Sequence, residues 1–208
     1  MRIIDELVSG LLKSAKAAFE IYTSTAKVGA QEMPEYFLPA FAFTENAKQG
    51  REKSFIFTLE TNNKTIMKWY NDQIANEHRN APHAIGLAGS KFDMVVFDAR
   101  KNPPDGKLFA LVEYKKSEYA PADRVKVSDA LLKLPEAPYG IVLGRVYGED
   151  KRTEAKHDVE SAGGQWTEQS FDLEEGRESW LFAGVFASTS AAFWEANKDT
   201  RSGSASGT

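Results

Sequence analysis

Apolar residues recur at helical spacing through the first stretch of the chain, at Ile3, Ile4, Leu7, Val8, Leu11, Leu12, Ala15, Phe19 and Tyr22. The spacing predicts one long amphipathic helix over residues 3–27, whose apolar stripe must be buried against a sheet or against a second copy of the chain. Glu20 falls among those apolar positions near the end of the helix. Pro34 and Pro39 then mark an extended connection, and strand-like runs at 37–43 and 54–60 predict an appended hairpin. Helical spacing returns over 63–79, capped by Asn62 or Asn63, with Ile66, Trp69, Tyr70 and Ile74 on one face and Pro82 beyond its end.

After a short apolar piece at 83–88 and a Gly89-Ser90 turn, the pattern changes to two apolar strands, 92–98 and 108–115, joined by a loop rich in Pro, Gly and Asp. A helix follows over 121–134, opened by Pro121 and buried through Val127, Ala130, Leu131 and Leu134; a β-rich run at 139–146 comes next. A strand, a helix of this length and another strand make a crossover, so the last strand should run parallel to the one before the helix. Residues 150–161 read as a charged helix, 180–187 as a further strand, and a short helix ends near Asn197 before a Gly/Ser-rich tail at 201–208. Gly140, Gly144 and Gly148 lie on a strand without the context of a phosphate-binding loop and read as packing or bulge glycines.

Each of the two central strands carries an acid where the pattern predicts burial. Pairing them as an antiparallel hairpin with its loop at 99–107 sets Asp98 across from Leu108, Phe97 from Phe109, Val95 from Leu111 and Asp93 from Glu113. Two like charges directly opposed in a half-buried sheet destabilise it unless something positive lies between them. Strand alternation puts Lys115 on the face of Glu113 and Asp98 on the other face from Asp93. The patch is either a divalent-cation site or a salt-bridge cluster on an edge hairpin.

An Asp on one strand and Glu113-Tyr114-Lys115 on the next resembles the PD-(D/E)XK nuclease superfamily, the restriction-endonuclease-like fold, over roughly residues 63–146. The Glu-x-Lys tripeptide recurs at Glu149-Asp150-Lys151 and Glu154-Ala155-Lys156, but only Glu113 ends a buried strand with an acid-bearing strand just before it. The resemblance implies an α/β fold with a mixed central sheet flanked by helices in the order α-β-β-β-α-β. Residues 1–62 would then be an N-terminal extension and 147–200 a C-terminal α/β extension of the same domain. It further implies that Asp93, Glu113 and the main-chain carbonyl of Tyr114 hold Mg²⁺ or Mn²⁺ and that Lys115 positions the attacking water. Glu77, on the helix before the sheet, stands where many members recruit an extra acid, with Glu20 a weaker substitute. Phe92 stands where members carry proline, one departure from the pattern. The implied activity is hydrolysis of phosphodiester bonds, in DNA; the alternative is a catalytically inactive module of the same fold that binds nucleic acid or protein.

Composition adds bounds. The chain has 208 residues, 42% hydrophobic and 27% charged, which is ordinary for one globular domain with an elaboration. With no cysteine there are no disulfides and no thiolate zinc site. No apolar run approaches the ~20 residues of a membrane span, the start of the chain lacks the apolar core of a signal peptide, and a cytoplasmic location is expected. A net charge of -4 argues against nucleic-acid affinity spread over the whole surface. A local basic face is still available: Arg100, Lys101 and Lys107, then Lys116, Arg124 and Lys126, cluster along the sequence beside the acids, and the last three are the candidate phosphate contacts. His78 and His83 lack the spacing of a zinc pair, no nucleophile elbow occurs, and Trp69, Trp166, Trp180 and Trp194 read as core residues.

Overall fold

The computed structural model describes residues 2–26, 33, 37–48, 55–76, 86–87, 91–98, 107–171 and 179–191. In chain order these form helix α1 (Ile3–Ala26), helix α2 (Phe37–Lys48), strand β1 (Phe55–Asn62), helix α3 (Asn63–Asn76), strands β2 (Lys91–Asp98) and β3 (Lys107–Glu118), helix α4 (Pro121–Lys133), strand β4 (Tyr139–Tyr147), helix α5 (Glu149–Ser161), and strands β5 (Gln165–Phe171) and β6 (Ser179–Ala187). The strands make one mixed sheet in the order β1-β2-β3-β4-β6-β5. Every neighbouring pair is antiparallel except β3 and β4, which run parallel, as a crossover through α4 requires.

Two apolar layers sandwich the sheet. The stripe of α1 (Ile4, Leu7, Leu11, Ala15, Phe19) and Leu38 and Ala42 of α2 pack with Met94, Val112, Tyr114, Ile141 and Leu143 on one face. Ile66, Tyr70 and Ile74 of α3, Val127, Ala130 and Leu131 of α4, and Ala155 and Val159 of α5 close the other with Val95, Leu111 and Val142. The α1 stripe is therefore satisfied inside the chain, against the sheet.

Several expectations change. Residues 37–48 are helix, not the first strand of a hairpin. Leu38 and Ala42, four apart, are buried, and Phe37 stacks on Phe41, also four apart, so the run carries helical spacing under its aromatic composition. Pro39 is tolerated because it stands in the first turn, where a backbone N–H has no intrahelical partner to lose. The expected order α-β-β-β-α-β within 63–146 also shifts: the first strand of the antiparallel run is β1, which precedes α3, and Gly86 and Leu87, the described part of the 83–88 piece, lie outside any strand. Strand β5 was not expected; its Trp166 stacks on Phe182 at 4.1 Å. Arg100, Lys101, His78, His83, Trp194, the terminal helix and the 201–208 tail lie outside the described residues.

Candidate functional site

The site begins with a register. Strands β2 and β3 pair Val95 with Leu111 and Met94 with Val112, where their ladder ends one step short of Asp93 and Glu113. A bulge between Val96 and Phe97 displaces the other end of the hairpin, so Phe97 faces Leu108 and Asp98 faces Lys107, each one residue from the expected partner. The Tyr114 amide donates to Asp93 Oδ2 at 2.8 Å, pinning the carboxylate to the residue between Glu113 and Lys115. Alternation along β3 sends the Tyr114 ring into the α1-side core and turns Glu113 and Lys115 toward α4. Burial, and after it the Asp93 charge, pushes the Tyr114 phenol far above its ordinary range, which leaves the side chain a packing role.

Helix α4 supplies the opposite wall. Its first turn is set by Pro121 and by Asp123, whose carboxylate accepts from the Ala120 amide at 3.3 Å. Asp123 also pairs with Lys115 at 3.4 Å, and Lys115 reaches Glu113 Oε1 at 3.4 Å. One helical turn further, Lys126 Nζ donates to Glu113 Oε2 at 2.6 Å and lies 4.7 Å over the Phe92 ring. The helix can sit this low because Gly140 of β4 has no side chain: a Cβ there would run into Val127 Cγ1.

Three carboxylates (Asp93, Glu113, Asp123) and two ammoniums (Lys115, Lys126) thus converge where β3 hands the chain to α4. Glu113 is only 4% exposed, so its charge is held in the protein by the two lysines. Burial raises the Asp93 pKa, and the Glu113 carboxylate raises it further; the Tyr114 amide and the two lysines oppose this without cancelling it. Glu113 is thus held by two lysine contacts and Asp93 by the Tyr114 amide.

The other expected residues divide. Lys126 is inside the site. Arg124 turns away: Nε and Nη2 grip the Asp158 carboxylate of α5 at 2.9 and 3.1 Å, and Tyr119 donates to the same group, so Arg124 bridges two helices. Glu20 on α1 pairs with Lys16 on the outer side of the sheet's other layer. Glu77 and the side chain of Lys116 lie outside the described residues. Asp123 was not anticipated, although Pro-x-Asp at a helix start is a readable capping signal. Glu60 was also not anticipated; it has φ +52, falls between the Leu59–Met94 and Thr61–Phe92 pairs beside Asp93, and pairs with Lys91.

Among the described residues no group of three or more His, Cys, Asp or Glu side chains gathers to hold a metal ion. The smaller set of Asp93, Glu113 and the Tyr114 carbonyl offers only hard oxygen donors, the kind Mg²⁺ or Mn²⁺ takes. Among the described residues no helix is long and apolar enough to cross a membrane. No family model, curated protein or solved structure matches the chain.

Proposed function

We propose that this chain is a metal-dependent nuclease of the PD-(D/E)XK type acting on phosphodiester bonds, with DNA as the substrate tested first. The observation that carries the reading is the 2.8 Å bond from the Tyr114 amide to Asp93, which joins the acid of β2 to the middle residue of the Glu-x-Lys of β3. Topology supports it: β1, β2 and β3 antiparallel, then α4, then β4 parallel to β3 follow the three-strand, helix, strand order of that fold, with α1 and α2 before the first strand and α3 an insertion after it.

Asp93, Glu113 and the Tyr114 carbonyl would hold the ion, which when bound supplies a Lewis acid and an acidified water. Lys115, 3.4 Å from Glu113 Oε1, would orient a hydroxide and offset charge growing on the reacting phosphate. Asp123 steadies that ammonium from the helix side. Glu113, being nearly buried, presents its oxygens in a fixed direction, which is the preorganisation such a site needs.

One observation favours a second reading, a non-catalytic module of the same architecture: Glu113 is closed by two ammoniums, as a purely structural salt-bridge cluster would be. Plasmid nicking with Mg²⁺ or Mn²⁺, measured on the wild type, Asp93→Asn and Lys115→Met, separates the two. Metal-dependent nicking lost in both variants is expected. Wild-type protein that binds no divalent ion and leaves the plasmid intact would overturn the nuclease reading.

A further inference from the structure

We propose that Lys126 is the resident cation of the metal site: it occupies Glu113 in the metal-free protein and is exchanged for the divalent ion when that ion enters. The inference rests on the nuclease reading and deepens it, because it assigns how the site's charge is kept balanced before metal arrives. Two lysines touch Glu113, but not equivalently. Lys115 reaches Oε1 at 3.4 Å and is shared with Asp123, whereas Lys126 makes the short contact to Oε2 at 2.6 Å.

The surroundings make the exchange physically coherent. Glu113 is 4% exposed, and a carboxylate taken that far out of water needs a counter-charge at all times. With three carboxylates and two ammoniums, the cluster carries one excess negative charge when all are ionised; a divalent cation turns it to one excess positive charge, the sign that attracts a phosphodiester. Lys126 stands one helical turn inside α4 with its ammonium 4.7 Å over the Phe92 ring, and its side chain keeps 23% of its surface open to solvent. It can therefore leave Glu113 by side-chain rotation alone, without moving the helix.

A structural lysine and an exchangeable one predict opposite changes in metal affinity. If Lys126 only held the fold together, Lys126→Met would loosen the site and weaken the metal. If it competes for Glu113, Lys126→Met should tighten Mn²⁺ by about tenfold or more, since both a competitor and a like charge are removed. The measurement is Mn²⁺ calorimetry on the full chain for the wild type, Lys126→Met, Lys126→Arg and Asp93→Asn, with melting temperatures taken in EDTA and in Mn²⁺. The expected result is tighter binding in Lys126→Met, near wild-type affinity in Lys126→Arg, and weak or no binding in Asp93→Asn. Lys126→Met should also melt lower than the wild type in EDTA and recover fully in Mn²⁺. Wild-type binding that depends on Asp93 but is unchanged or weaker in Lys126→Met would overturn the exchange while leaving the nuclease reading standing. No Mn²⁺ binding by the wild type would overturn both.

Discussion

Burial and the Glu113 charge raise the Asp93 pKa, and a single amide substitution measures what its ionised form costs the fold. Asp93→Asn keeps the shape and keeps an oxygen to accept the Tyr114 amide, while removing the charge that faces Glu113. Like charges opposed across a strand pair cost about 0.2–1 kcal/mol, and partial burial of Asp93 adds to that, so a gain of about 1 kcal/mol is expected. For a chain of 208 residues this is a rise of about 2–4 °C in melting temperature. The gain must depend on pH, and its sign follows from the raised pKa. Between the unfolded value of 3.8 and the higher folded value, the native state binds more protons than the unfolded one, so the wild type loses stability as pH rises through that window. The advantage of Asp93→Asn should therefore be small below pH 3.8, grow as pH climbs, and level off once Asp93 is ionised in both states. Thermal unfolding by circular dichroism in EDTA, at several pH values from acid to pH 8, reads this directly. A variant less stable than the wild type at pH 8, or a gain as large in acid as at pH 8, would refute the argument. Mn²⁺ should then reverse the ranking, because an ion held at about 100 times its Kd adds about 2.7 kcal/mol to the wild type alone.

The neighbouring acid should behave oppositely: Glu113→Gln in EDTA should cost about 1–3 kcal/mol, since it leaves Lys126 and Lys115 without their shared partner in a mostly buried place, and a melting temperature at or above wild type would count against the pairing. Burial works against ionisation of Asp158, but hydrogen bonds from Arg124 and Tyr119 outweigh it and hold its pKa below the usual carboxylate value. Arg124→Ala should accordingly cost about 1 kcal/mol at neutral pH, a cost that fades as pH falls through the folded pKa and Asp158 protonates; nicking activity should survive, whereas its loss would put Arg124 back among the phosphate contacts. Gly140→Ala should destabilise by about 1–3 kcal/mol, because its methyl meets the stiff, β-branched Val127, and by lifting α4 it should weaken Mn²⁺ binding; unchanged binding would uncouple helix height from the site.

The site was largely legible in the sequence because its frame rests on strong periodicities. Alternation around Val95 and Leu111 fixes which strand positions share a face, and the pairing of those two residues is as the pattern predicts. The same reading slipped at the far end of the hairpin, where the bulge after Val96 adds a residue that no alternation reveals. Residues 37–43 misled because Phe, Leu and Pro in a short run satisfy strand and helix patterns alike, and only tertiary packing chose the helix. Strand β5 was missed because it is an edge: Gln165, Thr167, Glu168 and Gln169 carry little apolar signal, and Arg152 of α5 covers it through Glu168. The Lys115–Asp123 and Glu113–Lys126 contacts were beyond reach, since they depend on how low α4 lies over β4, and a glycine on a third element sets that.

The bond from the Tyr114 amide to Asp93 makes one backbone proton a reporter of the site. At that position a side chain takes the place of a neighbouring strand as the acceptor, so the amide's protection depends on whatever the carboxylate is doing. Protonation, metal capture or substitution of Asp93 should each change the exchange rate of this single N–H while amides deeper in β3 keep theirs. Asp93→Ala, the obvious knockout, would remove a ligand and orphan a strand amide at once, so loss of function in that variant would confound chemistry with sheet repair.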